Sequence, residues 1–95
     1  MVMVFDPAKN ALNIKNHGID LSFGDRVMAD PNAIETIDDT MDYGEERWFV
    51  LGLVDGVVYR LIYKDVEEGF RYISLQEATK RETDHYLKEV CRHGR

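Results

Sequence analysis

The dipeptide Asp55-Gly56 most constrains the fold, because it separates two apolar runs rich in β-forming residues. An Asp-Gly pair between such runs is a strong signal for a two-residue β-hairpin turn. A third run of this kind follows after a short polar segment. We therefore predict a three-stranded antiparallel meander with strands at Glu46–Val54, Val57–Lys64 and Phe70–Leu75.

The hairpin also predicts which strand residues lie opposite each other. With a two-residue turn, Trp48 pairs with Tyr63 and Phe49 pairs with Ile62. Side chains alternate along a strand, so these two pairs lie on opposite faces of the sheet. The Phe49/Ile62 face is also predicted to carry Arg47, Arg60 and Lys64. We expect these charges at its rim, with their alkyl stems packed and their heads in water.

The position of Arg71 depends on the register of the third strand. In the preferred register it stands opposite Tyr63, and Trp48, Tyr63 and Arg71 form a row across the sheet. In such a row, the aromatic rings could stack on RNA bases while the guanidinium binds a phosphate. The alternative is ordinary cross-strand aromatic pairing, with Arg71 in an ion pair with Glu46. A slip of one residue would move Arg71 to the opposite face.

The segments outside the meander predict further helices and strands. Asp6-Pro7 and Asp20 are helix start signals, and Gly18 and Asp30-Pro31 are stop signals. The first helix should carry a weakly apolar stripe of Ala8, Ala11, Leu12 and Lys15, and the second helix should bury Leu21, Val27 and Met28. The predicted elements are a strand at Met1–Phe5, helices from Pro7 to about His17 and from Leu21 to about Ala29, a strand at Ala33–Asp38 and a helix from about Glu77. The order β-α-α-β-β-β-β-α predicts one α+β domain over residues 1–95, with an antiparallel sheet and helices on one face.

Composition narrows the class of protein. The chain has 95 residues, of which 44% are hydrophobic and 32% charged, as expected for a soluble globular domain. No apolar run approaches the ~20 residues of a membrane span, and the first run is too short for a signal peptide. A single cysteine, Cys91, excludes an internal disulfide framework. We therefore expect a cytoplasmic protein.

The charge of the chain is uneven. The net charge of −6 argues against simple nucleic-acid affinity. Residues 1–45 hold three Lys/Arg and nine Asp/Glu, whereas residues 46–95 hold nine of each, so a local cationic site remains open. The acidic residues from Asp38 to Glu46 lack the ordered spacing of a calcium loop and predict a solvated loop. No metal-ligand spacing or phosphate-binding loop is present, so we expect no metal and no cofactor.

Several segments in order carry a family resemblance. They are Phe5-Asp6-Pro7-Ala8-Lys9, Asn13, His17-Gly18-Ile19, Asp30-Pro31, Gly44-Glu45-Glu46-Arg47, Gly52, Arg71-Tyr72-Ile73-Ser74, Ala78-Thr79-Lys80-Arg81-Glu82 and Tyr86. Together they resemble the BrnT family of type II toxins, in the RelE-like ribonuclease superfamily. The resemblance implies a toxin that cleaves RNA without a metal and blocks translation.

The resemblance also implies partners. It implies a cognate BrnA-like antitoxin with a ribbon-helix-helix DNA-binding part, and operator DNA reached only through the complex. The Trp48/Tyr63 face is apolar enough to need cover, so we expect the antitoxin to dock there. Without the antitoxin, we expect the free chain to form a homodimer or to be poorly soluble.

The implied chemistry assigns candidate roles to individual residues. The candidates are Arg71 for the phosphate, Arg47 or Lys64 for electrostatic support, Tyr63 for a proton or the ribose, His17 for acid–base work and Trp48 with Arg71 for RNA binding. Imidazole is a common acid–base group, although the place of His17 before Gly18 also fits a favourable interaction with the helix dipole.

The chain departs from the usual family pattern at three positions. Asn16 and Gln76 stand where the family commonly has Lys and Arg, and Tyr63 stands where relatives often have His. These departures favour an alternative, in which the chain is a weakened or inactive homologue that binds the antitoxin and regulates the operon.

Overall fold

The computed structural model of the chain describes residues 2–4, 6–38, 47–67 and 69–92. Its elements are β1 Val2–Val4, α1 Pro7–His17, a 3-10 turn Leu21–Phe23, α2 Gly24–Met28, β2 Ile34–Asp38, β3 Arg47–Val54, β4 Val57–Val66, β5 Gly69–Glu77 and α3 Lys80–Arg92. This order confirms the predicted α+β arrangement. None of the helices in the described ranges is long and apolar enough to cross a membrane.

The strands form a five-stranded sheet in the order β1-β5-β4-β3-β2. Strands β2 to β5 are antiparallel neighbours, as the meander predicted. Strand β1 pairs in parallel with β5, placing Val4 opposite Arg71. This parallel pairing was not predicted, because it joins segments far apart in sequence and has no local turn signal.

The β3–β4 hairpin has the predicted geometry. Asp55 and Gly56 have φ angles of 51° and 84°, the left-handed pair that a type I′ turn requires. Val54 therefore pairs with Val57, and Trp48 with Tyr63, in the predicted register.

Helix α1 has the predicted bounds but a different buried side. The Asp6 carboxylate accepts a hydrogen bond from the Ala8 N–H at 2.8 Å, and Gly18 ends the helix with φ 72°. The predicted apolar stripe through Leu12 is wrong, since the Leu12 side chain is 56% exposed. The buried residue is Asn13, whose amide donates to the Leu75 carbonyl and accepts from the Leu75 N–H. Asn13 thus binds the edge of β5 beyond the end of β1.

The predicted second helix is divided into two short parts. Asp20 caps it as predicted, accepting from the Ser22 N–H at 2.9 Å, but a 3-10 turn precedes α2. Leu21 and Val27 are fully buried, as predicted, while Met28 is only partly buried against the same core.

Helices cover both faces of the sheet, so the prediction that they share one face is wrong. The 3-10 turn and α2 cover the side of Val50, Leu61, Tyr63, Tyr72 and Leu75, which we call the aromatic face. Gly52 lets α2 approach closely, because a Cβ there would lie 2.6 Å from the Val27 carbonyl oxygen. On the other side, α3 packs Tyr86 against Leu51 and Val58.

Candidate functional site

Arg71 lies on the face opposite to the one predicted. Lys64 pairs with Arg71 and Tyr63 pairs with Tyr72, one residue away from the predicted register. Further along, Ile62 pairs with Ser74, so Ile73 is an extra residue in a β-bulge. The predicted row of Trp48, Tyr63 and Arg71 is therefore wrong.

The corrected register brings the basic side chains of three strands together. We define the cationic face as the side of the sheet that carries Phe49 and Ile62 with Arg47, Arg60, Lys64 and Arg71. The placement of Arg47, Arg60 and Lys64 on this side is confirmed. Arg71 joins them because it pairs directly with Lys64. A chain that is acidic overall thus gathers positive charge on one side of its sheet.

The guanidinium of Arg71 is incompletely bonded. The side chain is half-buried, and its Nε is buried without a hydrogen-bond partner among the described residues. Buried donors in native proteins nearly always have partners, so this atom requires an explanation such as a bound anion. Glu46 is the predicted ion-pair partner of Arg71 in the alternative interpretation, and it lies outside the described ranges. The rest of the acidic loop, residues 39–45, also lies outside them.

Arg60 has a structural partner. Its guanidinium lies 3.3 Å from the Glu82 carboxylate and 5.8 Å from the centre of the Phe49 ring. Glu82 also accepts from the Thr79 N–H at 2.8 Å, while the Thr79 hydroxyl accepts from the Glu82 N–H at 3.1 Å. This reciprocal pair is a capping box that starts α3. Arg60 therefore links the cationic face to the beginning of α3.

Tyr63 and Trp48 lie on the aromatic face, away from Arg71. Tyr63 is 4% exposed, and its hydroxyl donates to the Glu35 carboxylate. Its ring stacks on Trp48 at 6.5 Å and contacts Phe70 at 4.8 Å. The chain's own helical segment covers this face. The premise of the predicted antitoxin docking and homodimer, an exposed apolar face, is therefore wrong.

His17 is exposed at the end of α1. One turn earlier, Asn13 binds Leu75, which lies four residues beyond Arg71 in β5. That separation corresponds to roughly 13 Å of strand. The structure therefore does not bring His17 and Arg71 together.

A carboxylate in the predicted stop signal Asp30-Pro31 holds three elements together. Asp30 accepts from the Tyr86 hydroxyl at 2.5 Å, the Leu53 N–H at 2.9 Å and the Asn32 N–H at 3.0 Å. Burial acts to raise the pKa of Asp30, but these hydrogen bonds outweigh it and leave the pKa below its usual value of 3.8. Burial, with Asp30 beside it, raises the pKa of Tyr86.

A similar pair lies under α2. The Tyr72 hydroxyl donates to the Asp25 carboxylate at 2.7 Å. Burial first, and then the neighbouring carboxylate, raise the pKa of Tyr72 above its ordinary value. Both Tyr72 and Tyr86 belong to the segments that carry the family resemblance, but their carboxylate partners are distant in sequence, so no local pattern predicts these hydrogen bonds.

A surface concavity lies on the side away from the cationic face. It measures about 540 Å³ and is lined in part by Phe23, Arg26 and Tyr59. Arg26 is already paired with Asp55 at 2.9 Å. In the part of the chain that the structure describes, no group of three or more His, Cys, Asp or Glu side chains could hold a metal ion. Cys91 is exposed on α3.

The fold and the cationic face are those of a small α+β protein suited to an anionic ligand, and the comparisons identify its class. The family model described as "Ribonuclease toxin, BrnT, of type II toxin-antitoxin system" matches residues 5–82. A comparison with curated proteins finds no significant match. Because the family match spans most of the sequence, the chain belongs to the BrnT family of ribonuclease toxins. A toxin of a type II system has an antitoxin as its partner.

Proposed function

We propose that this chain is a metal-independent endoribonuclease whose cationic face binds the RNA backbone and whose RNA cleavage blocks translation in the cytoplasm. The observation that carries the proposal is the buried Nε of Arg71, beside Lys64, which has no hydrogen-bond partner among the described residues. A phosphate oxygen would accept a hydrogen bond from this atom.

The electrostatics of the strand pair support an anionic ligand. Lys64 and Arg71 are directly opposite each other on adjacent strands, and like charges at such positions repel. A phosphate bound between them would attract both positive charges, and its oxygens would accept hydrogen bonds from the paired N–H donors of the guanidinium. Strands hold these side chains more firmly than loops would, which suits a site that must be preorganised.

The proposed reaction requires no metal. The RNA 2′-oxygen loses a proton and attacks the adjacent phosphorus, while the bond from phosphorus to the 5′-oxygen breaks and that oxygen gains a proton. The products are a cyclic phosphate and a free 5′-hydroxyl. Arg71 stabilises the charge that develops on the phosphate oxygens, and Lys64 and Arg47 add electrostatic support. Tyr63, Trp48 and His17 are not part of this proposal, because they lie away from Arg71.

The test is cleavage of single-stranded RNA by the purified chain in excess EDTA. We expect cleavage by the wild type and a loss of roughly 10²–10³-fold in rate for Arg71→Ala. Arg26→Ala is the matched control, since it removes an exposed arginine that is paired with Asp55 on the other side of the sheet. When expressed in cells, the wild type and Arg26→Ala should inhibit growth and protein synthesis, whereas Arg71→Ala should not. Cleavage that requires a divalent metal, or that survives in Arg71→Ala, would contradict the proposal.

One observation supports the alternative, in which the chain binds the antitoxin and regulates the operon without cleaving RNA. Gln76 pairs with Arg60 and therefore lies on the cationic face, at a position where the resemblance expects arginine. The site thus has one cation fewer than the family pattern. A wild-type chain that leaves RNA intact and growth unaffected, yet binds its antitoxin, would establish this alternative.

We also propose a BrnA-like antitoxin with a ribbon-helix-helix part as the partner. On this proposal the toxin alone does not bind operator DNA, and the complex does. Co-expression with the product of the neighbouring gene, followed by purification and a DNA-binding assay with and without it, tests both statements. Tight DNA binding by the toxin alone would contradict them.

A further inference from the structure

We infer that α3 carries a second RNA-binding site, which holds the backbone of an RNA that extends past the cationic face. The site is one side of the helix, which we call the α3 stripe, formed by Arg81, His85, Lys88 and Arg92. This inference rests on the proposed function and deepens it, because it distinguishes long RNA from short RNA as a substrate.

The spacing of these residues places them together. They recur at intervals of four, three and four residues, the spacing that aligns side chains on one side of an α-helix. All four are exposed. The stripe spans about 16 Å along the helix, enough for contacts with more than one phosphate.

The stripe lies on the same side of α3 as Glu82, which links the helix to Arg60 on the cationic face. Tyr86 and Val90 point to the sheet, and Glu82 reaches Arg60 in β4. His85 follows Glu82 by three residues, so it is the next side chain round the helix on the flank away from Tyr86. An RNA strand that leaves the cationic face near Arg60 therefore meets the α3 stripe.

The charge of the stripe is available to a ligand. In the described part of the chain, no ion pair engages Arg81 or Lys88, whereas Lys80 is paired with Asp84 at 3.1 Å. Arg92 approaches Glu89 at 3.7 Å, a longer contact with its side chain 67% exposed. A concavity of about 470 Å³ runs along this surface and includes Arg81, His85 and Lys88 in its lining. Continuity with the cationic face favours RNA over an acidic protein segment as the occupant.

The test compares two charge-matched double variants. Arg81→Gln/Lys88→Gln neutralises the stripe, and Lys9→Gln/Lys15→Gln removes the same charge from the exposed side of α1. Two probes are used: a long single-stranded RNA with 2′-O-methyl groups, which cannot be attacked, and a cleavable dinucleotide. Binding of the long RNA is measured by fluorescence anisotropy over a range of salt concentrations.

The stripe variant should bind the long RNA roughly tenfold more weakly at about 0.1 M salt, with a salt slope reduced by about 1.4 for two lost phosphate contacts. Its rate of dinucleotide cleavage should match the wild type, because the dinucleotide reaches only the cationic face. The α1 variant should resemble the wild type with both probes.

Each contrary outcome has a distinct meaning. If the stripe variant binds long RNA as the α1 variant does, the inference is overturned while the proposed function stands. If it loses affinity for the antitoxin and not for RNA, the stripe is a protein-binding surface and the inference is also overturned. If the wild type neither binds nor cleaves RNA, the inference falls together with the proposed function.

Discussion

The two faces of the same sheet differ in what covers them and in what they hold. On the aromatic face, α2 and the preceding 3-10 turn bury Leu61 and Tyr63 almost completely. On the cationic face, α3 covers only one part, and the adjacent residues of β4 are Arg60 and Lys64. Alternate residues of one strand thus face a buried core on one side and a cationic surface on the other.

The helices are also attached differently to the two faces. Beneath α2 the contact is close and mostly apolar, with Gly52 allowing the approach. Helix α3 adds polar links to its packing: Tyr86 to Asp30, and Glu82 to Arg60. We therefore expect substitutions on the aromatic face to affect mainly stability and those on the cationic face to affect mainly RNA cleavage.

The largest difference in stability is expected between alanine substitutions at two neighbouring residues of β4. Leu61 is fully buried on the aromatic face, whereas Ile62 is partly exposed on the cationic face. Leu61→Ala should lower the free energy of unfolding by about 2–5 kcal/mol because it leaves a cavity. Ile62→Ala should lower the free energy of unfolding by clearly less. Urea unfolding of both variants measures the difference, and equal losses would contradict the described alternation.

A smaller effect is expected at the contact between α2 and β3. Gly52→Ala introduces a Cβ 2.6 Å from the Val27 carbonyl oxygen, and backbone must move to accommodate it. Overpacking of this kind should cost about 1–3 kcal/mol in the free energy of unfolding. Thermal and urea unfolding provide the measurement. A variant as stable as the wild type would show that α2 does not lie this close to the sheet.

The link between Asp30 and Tyr86 should make stability depend on pH. The pKa of Asp30 is lower in the folded chain than its usual value, so its contribution is present above about pH 4 and is lost as the pH falls further. Asp30→Asn should cost about 1–2 kcal/mol at neutral pH through weakened hydrogen bonds.

The matched variant Tyr86→Phe removes only the donor of this link. Tyr86→Phe should lower the free energy of unfolding by about 1 kcal/mol. Unfolding measured from pH 6 to pH 3 should show a shallower fall for Asp30→Asn than for the wild type. Parallel curves for the two proteins would contradict the assigned role of Asp30.

The smallest effect is expected from the ion pair of Arg60 and Glu82. Its side chains are 27% and 20% exposed, so solvent screens the pair only partly. A double-mutant cycle with Arg60→Gln and Glu82→Gln should give a coupling free energy of about 0.5–1 kcal/mol, and less at high salt. The exposed pair of Lys80 and Asp84 is the control, with an expected coupling of about 0.3 kcal/mol.

Local signals in the sequence predicted much of this fold. Asp55-Gly56 set the hairpin and its register, and Asp6 and Gly18 set the bounds of α1. The capping box from Thr79 to Glu82 was equally visible in the sequence and would have placed the start of α3 at Lys80.

The candidate site was harder to predict because it depends on contacts without a local pattern. The bulge at Ile73 shifts the register by one residue, which reverses the face of Arg71. The attachment of Asn13 to Leu75 connects residues 62 positions apart. Arg47, Lys64 and Arg71 were candidates from the sequence, but their association on one face emerges only from the three-dimensional register.

The single-turnover rate of RNA cleavage by Arg71→Ala, measured beside Tyr63→Phe, tests the difference between the two faces most directly. We predict that Arg71→Ala keeps the wild-type melting temperature and loses roughly 10²–10³-fold in rate, with only partial recovery in Arg71→Lys. Tyr63→Phe should cleave at the wild-type rate and unfold more easily, because it loses the hydrogen bond from the Tyr63 hydroxyl to the Glu35 carboxylate. If Tyr63→Phe loses cleavage while Arg71→Ala retains it, the cationic face is not the catalytic site.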